Sequence, residues 1–166
     1  MPNIYNKYFA KDKAFRHYTQ HLLLALFGFG LLSLYFEMFS FSYLILFLLF
    51  SFIIDLDNVL ILLFSKNRYS EFRRDILSAI KRKDFKLLAE ISTKNHKILN
   101  NLILHNVVGY FIVTVTLAFA LLGDYNILIV IFSALFIHMT FDILDDTKQL
   151  GNIKNWLWPL NKLLKK

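Results

Sequence analysis

The sequence predicts an all-α, polytopic membrane protein: four transmembrane helices, with an amphipathic cytoplasmic helix between the second and third. Three observations lead there. The chain is 57% hydrophobic with a mean hydropathy of +0.49, whereas soluble domains sit near roughly 45–50% apolar. Four apolar runs, at about 19–36, 41–64, 99–122 and 126–144, each approach the ~20 residues that a helix needs to cross a bilayer. All 19 lysines and arginines lie outside those runs, and none lies in the two short links between them.

Residues 1–20 are polar and charged, and run 1 ends in "YFEMFS" without a small-residue cleavage site, so it reads as a retained span rather than a cleaved signal. Residues 37–40 ("EMFS") and 123–125 ("GDY") are tight turns, while 65–98 is one long polar segment. Four cations precede run 1 (Lys7, Lys11, Lys13, Arg16), ten lie in 65–98 and five follow run 4. By the positive-inside rule both termini and the long loop are cytoplasmic. The expected protein is one membrane-embedded domain, residues 1–166, in the inner or plasma membrane: two helical hairpins joined on the cytoplasmic side, with a tail at 145–166.

The loop stretch "YSEFRRDILSAIKRKDFKLLAEI" repeats Phe72, Ile76 and Ile80 every four residues, and Phe85, Leu88 and Ile91 every three. That pattern predicts an amphipathic helical segment on the inner membrane surface. Its "KRKDFK" cluster reads as a solvated face near anionic lipids in preference to a nucleic-acid grip. In the tail, Trp156 and Trp158 lie beside lysines and read as interfacial anchors.

Function is carried by the polar residues inside the runs. "FSFIIDLDNVLILLF" holds Asp55 and Asp57 in an apolar setting, where an uncompensated carboxylate costs roughly 2.5–3.5 kcal/mol on insertion scales. Given the orientation, the pair lies in the inner half of run 2, roughly 10–14 Å from its end. His21 opens run 1; Asn100, Asn101, His105 and Asn106 open run 3; His138 and Asp142 close run 4. All four runs therefore place His, Asp or Asn at the same end of the bundle. His138 and Asp142 are four residues apart and share one helix face, as do His17 and His21, and Asp145 or Asp146 continues the His138–Asp142 stripe. Asp55 and Asp57 are roughly 200° apart on an ideal helix, so they meet at one ion only if the helix is broken there. Broken backbone at that depth requires protein or a water-filled cavity around it.

The chain has no cysteine, which excludes disulfides and thiolate metal sites. Mixed imidazole and carboxylate ligands suit a divalent metal: imidazole fits zinc, iron or nickel, and carboxylate adds magnesium or manganese. Such an ion neutralises clustered carboxylates and activates water as a hydroxide nucleophile at neutral pH. The expected metal ligands are His21, Asp55, Asp57, His96, His105, His138 and Asp142. Asp57 is also the preferred general base, and Lys97 or a loop arginine stabilises departing charge.

The order "QHLLLALFG", "DLDN", a His-rich opening of run 3, and "FIHMTFDILDDTKQLGNIKNWLWP" resembles the LexA-regulated inner-membrane family of metal-dependent hydrolases, over about residues 20–160. That family's pattern runs G-H, D-x-D-H, H-R-x-x-x-H-[SN], H-x-x-x-D, then a Gly and an "LWP"-like end. His21, Asp55, Asp57, His138 and Asp142 match its motif positions, as do Gly151, Trp158 and Pro159. Asn58 departs from it by replacing a histidine. In the paired-histidine motif either His96 aligns, with Asn101 for the second histidine, or His105 aligns, with Asn100 for the first. The family is grouped with zinc-dependent phospholipase C and related nucleases, and the resemblance implies a phosphate ester, a phospholipid or another amphiphilic phosphate, as substrate. Two other functions stay open on the residues alone: an ion- or proton-binding transporter, and a non-catalytic membrane adaptor. Membrane lipids are expected partners, nucleic acid is not, and oligomerisation is left open.

Overall fold

The computed structural model describes residues 4–55, 70–84, 87, 91, 105–153, 156 and 157, and their side chains apart from those of 4–15, 17, 70, 149 and 150. Among the described residues there are five helices and no strand: α1 (Ile4–Phe36), α2 (Phe41–Ile53), α3 (Ser70–Lys81), α4 (Val107–Leu122) and α5 (Asn126–Leu150). The all-α expectation matches this architecture. Two stretches are long and apolar enough to cross a membrane, Tyr18–Phe36 of α1 and Asn126–Lys148 of α5. At 13 and 16 residues, α2 and α4 are apolar but shorter than a span.

Both predicted short links are turns with one residue in left-handed backbone: Glu37 (φ 54°) after α1 and Asp124 (φ 51°) after α4. The left-handed residue lets the chain reverse while the last carbonyls of each helix are still bonded. Met38 N–H reaches Ser33 O at 3.2 Å, and Tyr125 N–H reaches Ala120 O at 3.0 Å.

Helix α5 is the axis of the fold; α1, α2 and α4 all pack on it, and α1 also packs on α2. One core joins Ala25 and Phe29 of α1, Phe47 of α2, and Val130 and Ala134 of α5. Gly28 lets α1 approach closely there, since a Cβ at that position would come within 2.7 Å of Ile137 Cδ1. Small residues at helix crossings are how apolar helices gain packing where little water-driven burial is on offer. A second core gathers Ile54, Val113, Met139 and Trp156. The opposite faces are also apolar: Phe27 and Leu34 of α1, and Phe111 and Leu122 of α4, all point outward. Contiguous exposed apolar surface of this kind marks a membrane or partner contact.

Two sequence expectations need correction. The amphipathic loop segment is not one continuous helix: α3 stops at Lys81, Lys83 turns to φ 52°, and Asp84 N–H closes the end on Ala79 O at 3.0 Å. Asp84 Oδ1 also accepts from Leu87 N–H at 3.0 Å. Within run 3, α4 starts at Val107 and His105 and Asn106 form a bend before it, while residues 99–104 lie outside the described residues. Run 4 does not stop at 144 but continues to Leu150. There Gly151, at φ 69°, takes the left-handed position that favours glycine, and its N–H bonds Thr147 O at 2.9 Å.

Candidate metal centre

Four segments bring the site together. His21 comes from α1 and Asp55 from the turn that follows α2. His105 comes from the bend before α4, and His138 and Asp142 from consecutive turns of α5. Two local features aim the side chains of Asp55 and His105. Helix α2 ends at Ile53, and Asp55 N–H bonds Phe52 O at 3.2 Å in a tightened last turn, so Asp55 leaves the helix path. Asn106 is the N-cap of α4: in extended backbone, its Oδ1 accepts from Val108 N–H at 2.9 Å and Gly109 N–H at 3.0 Å. Asn100 and Asn101 lie outside the described residues. Asn106→Ala should cost about 1 kcal/mol, the usual loss for a cap, read as a lower thermal midpoint. Because the same bend carries His105, weaker metal binding should accompany it.

Asp142 is the hub. Its Oδ1 lies 3.1 Å from His21 Nε2, and its Oδ2 lies 2.9 Å from His138 Nε2 and 3.2 Å from His105 Nε2. Asp55 Oδ1 faces the same histidines, 3.6 Å from His138 Nε2 and 3.9 Å from His105 Nε2. The His21 and His138 rings lie 4.4 Å apart, and Phe141 meets the His21 ring edge-on. His21, His105, His138 and Asp142 are buried; only Asp55, with 27% of its side chain exposed, opens outward.

Asp55, His105, His138 and Asp142 each offer a ligand atom, all within 4.8 Å of one another. Zinc bonds of about 2.0–2.2 Å at tetrahedral angles put neighbouring donor atoms roughly 3.3–3.6 Å apart, and the separations above bracket that range. Direction agrees with distance. Neither ring nitrogen of His138 makes a directed hydrogen bond among the described residues, although Asp142 Oδ2 is only 2.9 Å away. Buried polar atoms are normally hydrogen-bonded. Donor atoms turned toward one another without an aligned proton between them are arranged as ligands are. The group fits a divalent ion held by nitrogen and oxygen, and its chemistry leaves the choice among zinc, iron and manganese open.

Of the residues expected as ligands, Asp57 and His96 lie outside the described residues, as do Asn58 and Lys97 and the side chain of His17. Sequence reasoning missed the part played by the tail. Trp156, expected to be an interfacial anchor, is buried in the core. Its ring centroid is 6.0 Å from that of His105, and its Nε1–H donates to Asp146 Oδ2 at 2.9 Å. The available signal was Asp146 itself, one turn beyond Asp142 on the same stripe. Searched against family models, curated proteins and solved structures, the chain matches none of them.

Proposed function

We propose that this protein is a membrane-embedded, metal-dependent hydrolase with four spans and cytoplasmic termini, acting on a phosphate ester at the inner leaflet. The observation that carries the reading is the meeting of two imidazoles and two carboxylates from three separate segments within 4.8 Å, in a mostly buried pocket. A buried acid–imidazole cluster inside apolar helices is expensive unless compensated, and by default it marks a functional site. His105, His138, Asp55 and Asp142 would hold the ion, with His21 fixing Asp142 through its other oxygen. When bound, the ion supplies Lewis acidity and lowers the pKa of coordinated water toward about 7. Asp55, the outward-facing member, is the carboxylate that a water or a substrate reaches first, and Asp57, outside the described residues, is the expected acceptor of the proton that the attacking water gives up.

Support for an amphiphilic substrate comes from an apolar cavity of about 680 Å³, lined by Gly28, Leu32, Leu117, Ser133, Phe136 and Ile137 among others. Its volume is typical of ligand pockets, roughly 300–1,000 Å³. Ile137 adjoins His138 in sequence, and Gly28 is seven residues from His21, about 10 Å along the helix. From there the cavity runs along α1 to Tyr35 and Phe36 at its far end, an apolar length suited to an acyl chain. Support for the spans comes from the two long apolar helices and the outward-facing apolar side chains.

The test is phosphate-ester hydrolysis by purified protein in lipid nanodiscs, with bis-p-nitrophenyl phosphate and short-chain phospholipids as probes. Activity is expected to disappear with chelator, to return with one divalent metal, and to be absent in His138→Ala. No release from any probe by metal-loaded protein, or equal release by His138→Ala, would overturn the hydrolase. Metal or proton flux in proteoliposomes without hydrolysis would establish the transporter in its place.

A further inference from the structure

We infer that Trp156 is a positioning residue for the metal centre: the tail after α5 is a strap that holds His105 in place from the side facing the chain's C-terminus. The inference rests on the metal-site reading above and adds residues that no ligand set contains. Three independent contacts make the strap. The Trp156 carbonyl accepts from Val107 N–H at 2.9 Å, tying the tail to the first residue of α4, two positions after His105. The Trp156 indole packs against the His105 ring, with centroids 6.0 Å apart at 63°. Its Nε1–H donates to Asp146 Oδ2 at 2.9 Å, one turn beyond Asp142 on the helix that carries His138.

His105 needs such a fixture. It sits in a bend rather than a helix, so no helical backbone ladder sets its direction, whereas His138 and Asp142 are held by α5. The strap links that bend to α5 by one backbone bond, one ring contact and one side-chain bond. Gly151 makes the return possible by ending α5 in left-handed backbone, after which Ile153 O accepts from Trp156 N–H at 2.9 Å. Trp156 is 3% exposed and shares a core with Ile54, the residue before Asp55. The strap thus touches His105 directly, bonds α5 one turn beyond Asp142 and shares a core with the residue before Asp55. Groups that orient metal ligands from behind typically change metal affinity 10–100-fold when removed.

The test is cobalt(II) and zinc(II) titration of full-length protein in nanodiscs, with the cobalt visible spectrum recorded at saturation and helicity checked on each sample. Asp146→Leu, which removes the acceptor, and Trp156→Phe, which keeps a ring without the donor, should each weaken metal binding about 10-fold or more and shift the cobalt bands. Asp146→Asn, whose amide oxygen can still accept, should return affinity and spectrum toward wild type. Trp156→Ala should show the largest loss; if it fails to fold, the two conservative variants decide the matter. Wild-type affinity and an unchanged cobalt spectrum in both Asp146→Leu and Trp156→Phe would overturn the strap. Wild-type protein that binds neither metal would instead remove the metal-site reading on which the strap rests.

Discussion

Asp142→Ala is expected to lower stability by about 3–5 kcal/mol, the scale seen when one partner of a buried charged group is removed and the others are left uncompensated. The reason is its place between three imidazole nitrogens, at 2.9, 3.1 and 3.2 Å, with its side chain only 7% exposed. No other described residue makes as many close acid–imidazole contacts within the cluster. Asp142→Asn separates shape from charge. It keeps an oxygen on the same carbon and most of the packing, so it should retain more of the fold than alanine while binding metal much more weakly. Unfolding in denaturing detergent, read by helicity, gives the stability difference, and metal titration gives the second quantity. A loss below about 1 kcal/mol for Asp142→Ala, within reach of an ordinary surface change, would mean that the cluster does not depend on this carboxylate.

Phe47→Ala should produce a loss of similar size by a different route. Phe47 is fully buried where α1, α2 and α5 meet, with its ring 5.7 Å from that of Phe29. Truncating a core phenylalanine costs about 3–5 kcal/mol in water-soluble proteins, as lost transfer energy plus a cavity. If the proposed bilayer setting holds, the transfer part shrinks, because lipid chains are as apolar as the core, and lost packing contacts supply most of what remains. The lower end, about 3 kcal/mol, is therefore expected. Phe47 is not among the ligand residues, so the folded fraction should still take up the wild-type complement of metal. Loss of metal from folded Phe47→Ala protein would show that the centre depends on the distant helix crossing.

Much of this architecture is legible because long apolar helices announce themselves by length and composition. Run 1 and the apolar part of α1 agree to within a residue, at 19–36 and Tyr18–Phe36, and both tight turns lie where the apolar runs break. The candidate ligands His21, Asp55, His105, His138 and Asp142 stand out because an ionisable side chain in such a run needs a partner. Less legible are features decided by local hydrogen bonds. An apolar run cannot show that Asn106 takes extended backbone and caps α4. Periodicity cannot show that Lys83 will adopt left-handed backbone and interrupt a helical pattern that continues on both sides. Trp156 is the clearest case. A tryptophan beside lysines has the composition of an interfacial anchor, and only the glycine-ended return of the chain at Gly151 turns it back into the core against His105. Contacts made after such a reversal depend on a single backbone angle, and composition does not carry it.

The most direct measurement is elemental analysis of protein purified without chelator, run beside the Asp55→Ala, His138→Ala double variant and normalised to folded protein. Stoichiometric divalent metal in the wild type and none in the variant is the expected result. Equal metal content in the two samples, or none in either, would contradict a metal centre shared between the end of α2 and α5.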